Sequence, residues 1–177
     1  MSAEIDRAYL QVALDELETY LLSNELYWQL STRNNALPRL TIGQLLLTRL
    51  RLSARGLLSP ADESRWTSVR QRWRAAWEKK ASHEFNSRLN LWKNYLEDYF
   101  ESPSNYAADY PGEVRQRVIL ELLTQEISAP LPQAAMLTVL DERLRTVLIP
   151  GPFVWEEELG AVFPKETWWY LYGRLKT

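Results

Sequence analysis

The residues that most often carry out catalysis are scarce in this chain. It has 177 residues, with no cysteine and a single histidine, His83. Without cysteine there is no thiol nucleophile, disulfide or thiolate metal ligand. His83-Glu84 begins the zinc-protease pattern H-E-x-x-H, but position 87 is serine, so the second histidine ligand is missing. A di-iron site built from Glu-x-x-His pairs is excluded for the same reason.

Paired carboxylates and phosphate-binding loops do not indicate an active site any more strongly than the single histidine does. Glu97 and Glu101 lie one helical turn apart, a spacing that general acid–base catalysis can use, but acids at this spacing are common on helix surfaces. The six glycines do not cluster, so there is no glycine-rich loop to hold phosphate groups. We therefore expect a protein that is not an enzyme, with no catalytic residues, no metal ligands and no cofactor.

The aromatic residues favour binding instead. The chain has eight tryptophans, and two of them are adjacent in the C-terminal run Trp168-Trp169-Tyr170-Leu171-Tyr172. Tryptophan and tyrosine are enriched among the residues that anchor protein interfaces. We predict that Trp168, Trp169, Tyr170 and Tyr172 bind a partner protein or a second copy of this chain. The alternative is that this apolar segment fills a groove in its own domain.

A basic segment supports a second prediction. Residues 64–93 carry eight Lys and Arg residues against two acids, whereas residues 94–177 carry seven against thirteen. Cations interleaved with tryptophans can bind the phosphates of a nucleic acid without reading its base sequence. The alternative is that these cations pair with acids inside the domain or are solvated. The candidate anion- and nucleic-acid-binding residues are Arg70, Arg72, Arg74, Lys79, Lys80, Arg88 and Lys93.

The elements that would position these residues are predicted from apolar spacing. Ser59-Pro60 is a typical helix start, and no glycine or proline follows until Pro103. Apolar residues from Trp66 to Tyr99 recur about every 3.7 residues, which predicts one helix of about 40 residues over 60–101. A break in this helix is most favoured at 82–87, where the helix propensities are poor.

Around this helix we expect an all-α, single-domain bundle of about six to eight helices. Residues 1–150 would form the bundle core, and residues 151–177 would form an aromatic segment packed on that core or on a partner. The start of a further helix is predicted at Thr41, with Gln44 three residues later as a capping box.

The N-terminal residues and the distribution of charge bear on the location of the protein. The first residues, MSAEIDRAYL, have acids where a signal peptide needs basic and then apolar residues, and the longest uncharged stretch, 127–140, contains two prolines. We expect a cytoplasmic protein with no transmembrane segment, for which binding to a membrane surface is disfavoured. The leading hypothesis is a non-catalytic adaptor, scaffold or assembly subunit acting through protein contacts. The alternative is a helical subunit that binds the nucleic-acid backbone.

Overall fold

The computed structural model describes all residues 1–177, and the chain is mostly helical, as predicted. None of its helices combines the length and apolar character that crossing a membrane requires. The helices are α1 Ala3–Leu22, α2 Ile42–Ala54, α3 Pro60–Arg72, α4 Arg74–Glu101, α5 Pro103–Tyr106, α6 Tyr110–Glu113, α7 Arg115–Thr124 and α8 Ala134–Val147. The strands are β1 Leu148–Phe153 and β2 Tyr172–Leu175, and short 3-10 turns lie at Ala107–Asp109, Glu157–Val162 and Trp169–Leu171.

The prediction of one helix over residues 60–101 is wrong. The backbone of Trp73 has φ −113° and ψ 39°, outside the helical region, and it separates α3 from the 28-residue helix α4. Trp66 and Trp77 would be about 16 Å apart along one continuous helix, yet their ring centroids lie 5.9 Å apart across this break. The change of direction lets α3 pack mainly against α1 and α4 mainly against α7.

The predicted weak stretch at 82–87 is continuous helix within α4. Glu84 and Phe85 are fully buried there, so tertiary packing outweighs the poor local propensities.

The prediction of an all-α fold is also wrong at the C-terminus, where β1 and β2 form a two-stranded antiparallel sheet. Pro150 of β1 lies opposite Gly173 of β2, and the register shifts between Pro150 and Phe153. Gly173 has φ +148°, and a Cβ atom there would collide with the carbonyl oxygen of Ile149. The Pro150-Gly151-Pro152 run is therefore part of a strand, and the aromatic run at residues 168–172 forms a 3-10 turn followed by β2.

The buried apolar side chains form one continuous cluster that draws on α1, α2, α4, α7, α8 and the C-terminal segment. Trp77 and Trp92 of α4 are fully buried in it. Leu171 and Leu175 of the C-terminal segment belong to the same cluster. Full burial of one such apolar side chain contributes about 1.5–3 kcal/mol, so the C-terminal segment is an integral part of the folded chain.

Candidate functional site

The four aromatic residues predicted to bind a partner divide between the interior and the surface. Trp168 and Tyr170 are buried, with only 6% and 1% of their surface exposed. Trp169 and Tyr172 remain partly exposed. The division follows from the 3-10 turn, in which residues three apart lie on the same side, so Trp169 and Tyr172 share one side and Trp168 and Tyr170 do not.

Tyr170 is held by the interior on both its backbone and its ring. The Tyr110 hydroxyl donates a 2.5 Å hydrogen bond to the Tyr170 carbonyl. The guanidinium of Arg117 lies 4.4 Å from the centroid of the Tyr170 ring, and both of its edge nitrogens pair with Asp141 at 2.8 and 2.9 Å. Burial raises the pKa of the Tyr170 hydroxyl, although Arg117 opposes the shift. Tyr170 is therefore a packing residue in the free protein.

Trp169 and Tyr172 line a surface hollow of about 270 Å³ between the end of α8 and the sheet. We call it the aromatic hollow; its remaining lining residues are Arg145, Leu148, Pro150 and Lys165. The Arg145 guanidinium carbon lies 3.7 Å from the Trp169 ring centroid, a cation–π contact. The Tyr172 hydroxyl donates a 2.7 Å hydrogen bond to the Phe163 carbonyl, which orients the ring.

The two cations of the aromatic hollow have no counter-charge within the chain. No carboxylate lines the hollow. Neither Arg145 nor Lys165 takes part in any of the ion pairs of the structure. The hollow thus combines exposed aromatic surface with two free positive charges.

Arg70 on α3 and Arg74 in the first turn of α4 pair with acids of the chain. Arg70 Nε donates to Glu126 Oε2 at 2.7 Å, and Arg74 Nε donates to Glu78 Oε1 at 2.8 Å. Glu126 also accepts from the indole of Trp77 at 3.0 Å, so it joins α3, α4 and the end of α7.

Three basic candidates further along α4 are also engaged. Arg88 is buried and pairs with the buried Glu84 at 3.0 Å, and Lys93 contacts Glu97 at 3.7 Å. Lys80 is buried as well, and its ammonium donates to the carbonyls of Ser23 and Glu25 just after α1. Burial lowers the pKa of Lys80.

Arg72 and Lys79 are the two basic candidates without an ionic or carbonyl partner. Arg72 stacks on its neighbour Trp73, with the guanidinium carbon 5.4 Å from the ring centroid. Lys79 lines a polar cavity of about 300 Å³ with Lys80 and His83 beside the end of α1. The seven candidates therefore do not meet on one free cationic face.

Sequence reasoning missed Arg145 and Lys165, although both lie within a few residues of elements that it examined. Arg145 is 24 positions before Trp169, and no local spacing connects them. The acidic balance of residues 94–177 also hides two unpaired cations. The one signal in the sequence that could have placed Arg145 near the C-terminal segment is its position only five residues before the Pro150-Gly151-Pro152 run.

The acidic and histidine candidates form no cluster. Glu97 and Glu101 are exposed on α4, and so is His83, one helical turn after Lys79. No group of three or more His, Asp or Glu residues lies close enough together to hold a metal ion.

Comparison with known proteins found no matching family model, no similar curated protein and no similar solved structure. A functional assignment for this chain therefore depends on the chemistry of its own surface.

Proposed function

We propose that this protein acts through protein contacts, by binding an acidic segment of another protein in the aromatic hollow. It would serve as a cytoplasmic adaptor, scaffold or assembly subunit rather than as an enzyme. The observation that carries the proposal is the pair of partly exposed rings, Trp169 and Tyr172, flanked by Arg145 and Lys165 without acidic partners. Aromatic anchors beside charge-assisted hydrogen-bond donors are typical of interface hot spots.

The dimensions of the hollow favour a side chain as the bound group. Its volume of about 270 Å³ lies below the roughly 300–1,000 Å³ of pockets that enclose a drug-sized ligand. A single aromatic or leucine side chain of a partner fits such a space, and neighbouring carboxylates would reach the two cations.

Addition of a partner strand to β1 is a less suitable mode of binding. Pro150 and Pro152 have no N–H group, so β1 offers few donors to a further strand. We therefore expect specificity from side-chain insertion and charge rather than from backbone pairing.

The alternative function, binding of nucleic-acid backbone through residues 64–93, has weaker support. Five of its seven cations already pair with carboxylates or backbone carbonyls of the chain. A phosphate would have to displace these partners, which reduces the net gain of each contact.

The proposal is tested by selecting peptides from a random display library against the immobilised full chain. The double variant Arg145→Glu/Lys165→Glu is the counter-selection target. The matched control is Arg143→Glu, since Arg143 lies two positions earlier on α8 and stacks on Phe100 outside the hollow.

We expect the enriched peptides to carry acids next to an aromatic or leucine residue. Their affinity should fall at least tenfold for the double variant and stay within twofold for Arg143→Glu. Peptides without acids, or affinities equal for all three proteins, would contradict the proposal. Tight, nuclease-sensitive retention of nucleic acid by the wild type and the double variant alike would favour the alternative.

A further inference from the structure

A separate cavity of about 190 Å³ lies where α2 and the start of α7 meet the segment after β1. It shares no lining residue with the aromatic hollow. Two arginines, Arg51 and Arg115, face it together with Trp155, Leu159 and Glu156. We call it the arginine cavity.

Arg115 forms no direct ion pair with a carboxylate. Its one hydrogen bond to the protein runs from Nη1 to the amide oxygen of Gln44, at 2.9 Å. Gln44 is neutral and almost fully buried. No carboxylate lies within 4.0 Å of the Arg115 guanidinium, and its Nε and Nη2 groups donate to no protein acceptor.

Arg51 adds a second positive charge to the same cavity. Its side chain is 8% exposed, and its Nε and Nη2 groups donate to the two oxygens of Asp6 at 3.1 and 2.7 Å. Its remaining terminal nitrogen, Nη1, donates to no protein acceptor. The guanidinium therefore keeps one donor group available beside Arg115.

Two of the neighbouring acids are already engaged by other partners, and a third, Glu113, attracts the Arg115 charge without forming an ion pair with it. Asp6 pairs with both Arg51 and Arg55, and Glu84 pairs with Arg88. These two carboxylates are the fully buried ones at this junction, and neither reaches Arg115.

Glu156 is the one acid that lines the cavity. Its side chain is half-exposed, and its Oε1 atom accepts a hydrogen bond from the Met1 amino group at 3.2 Å. Burial, with Arg88 and Arg51 as nearby like charges, lowers the pKa of Arg115. The carboxylates of Glu113 and Glu84 partly offset this shift, and Arg115 itself is partly exposed.

We propose that the arginine cavity is a binding site for a small oxyanion, a phosphate or a carboxylate. Arg115 presents Nε and Nη2 on one edge of its planar guanidinium, the geometry that holds two oxygens of such an anion. Arg51 Nη1 adds a third donor. Trp155 and Leu159 supply an apolar wall, and the Trp155 indole is fixed by its 2.8 Å hydrogen bond to the Pro111 carbonyl. The volume limits the ligand to a single small ion or a short acid.

The test is calorimetric titration of the full chain at low ionic strength with inorganic phosphate, benzoate and neutral benzamide. We expect saturable one-site binding of phosphate or benzoate and none of benzamide. Phosphate binding without benzoate binding identifies a phosphate site, and the reverse identifies a carboxylate site.

Variants locate the binding. Arg115→Gln should lower the affinity at least tenfold. The matched control Arg65→Gln removes an exposed arginine that pairs with Asp15 at 2.7 Å, and it should bind like the wild type. Arg115→Lys keeps the charge and serves if the glutamine variant does not fold; it should weaken binding several-fold by losing the two-point contact. Circular dichroism checks the fold of each variant.

Glu156→Gln removes the acid that faces the cavity and should tighten binding. The proposal is overturned if the wild type binds neither anion saturably, or if Arg115→Gln binds as the wild type does. It is also overturned if binding appears only in Glu156→Gln, because Glu156 would then occupy the site itself.

Discussion

The backbone N–H of Gly43 donates a 2.9 Å hydrogen bond to Oε2 of Glu84, a fully buried carboxylate on α4. Gly43 lies in the first turn of α2, where the helix dipole favours a negative charge. Arg88, one turn after Glu84, neutralises the carboxylate at 3.0 Å. The arrangement joins α2 to α4 at a glycine whose surroundings leave no room for a side chain.

Gly43→Ala should lower the free energy of unfolding by about 1–3 kcal/mol. A Cβ atom at position 43 would lie 2.6 Å from Glu84 Oε1 and still closer to Ile119, so the α2–α4–α7 contact has to open. Urea denaturation of the two proteins measures the difference. Gly160→Ala is the control, because nothing lies within 4 Å of its Cβ position. Equal effects of the two substitutions would show that the contact is not tightly packed.

Glu84→Gln should destabilise the protein by about 3–5 kcal/mol, because it leaves Arg88 buried without its counter-charge. Glu97→Gln removes the exposed acid of the Lys93 pair and should change stability by less than about 1 kcal/mol. Chemical denaturation with both variants gives the comparison. If the double variant Glu84→Gln/Arg88→Met is no more stable than Glu84→Gln, the loss does not come from the unpaired guanidinium.

Acid should weaken the fold partly through Glu63. Burial opposes ionisation of this group, but hydrogen bonds from Arg49 at 2.8 and 2.9 Å and from the Trp66 indole lower its pKa below the usual 4.5. A carboxyl group whose pKa is lower in the folded than in the unfolded protein stabilises the fold at pH values above its unfolded pKa. This contribution disappears as the pH falls below about 4.5 and the group becomes protonated in the folded protein as well.

Glu63→Gln should therefore cost up to about 1 kcal/mol at neutral pH and make stability depend less steeply on pH below the usual carboxyl pKa of 4.5. Denaturation midpoints of the wild type and Glu63→Gln, measured at several pH values from neutral to below 4.5, test whether the pH dependence becomes less steep. Glu101→Gln, an exposed acid without an ion pair, should leave the slope unchanged. A slope that is identical in wild type and Glu63→Gln would contradict the prediction.

Trp168 and Trp169 should differ in their effect on stability. Trp168 is buried edge-on against Phe163 at 5.0 Å, so Trp168→Ala should cost about 3–5 kcal/mol. Trp169 lies at the surface under Arg145, and Trp169→Ala should cost less, about 1 kcal/mol, while abolishing binding to the aromatic hollow. Thermal unfolding and peptide titration measure the two quantities. Equal losses of stability would place Trp169 in the core.

Local signals predicted the parts of the fold that depend on neighbouring residues. Thr41 Oγ1 accepts from the Gln44 N–H at 3.0 Å, as the capping pattern predicts, and Ser59 Oγ accepts from the Asp62 N–H at 3.1 Å. The capping box is nevertheless incomplete, because the Gln44 side chain bonds Thr48 and Arg115 instead of returning to Thr41.

Non-local packing decided the rest. No glycine or proline marks the break at Trp73, which places α3 and α4 on different neighbours. The strand at Pro150 exists because β2 pairs with it from more than twenty residues away. The apolar periodicity of one segment does not show which other segment will pack or pair with it. The break at Trp73 and the strand at Pro150 therefore could not be predicted from the sequence.

The candidate binding sites also depend on contacts between residues that are distant in the sequence. By itself the sequence determined that the chain is mostly helical, that thiol and two-histidine chemistry are absent, and that aromatic and basic residues are its main binding resources. The tertiary structure decided which of them are free. Arg70 meets its acid 56 positions away, whereas Arg115 and Arg145 meet none. Charge pairing and burial are properties of residues distant in the chain, and only the packed fold brings those residues together.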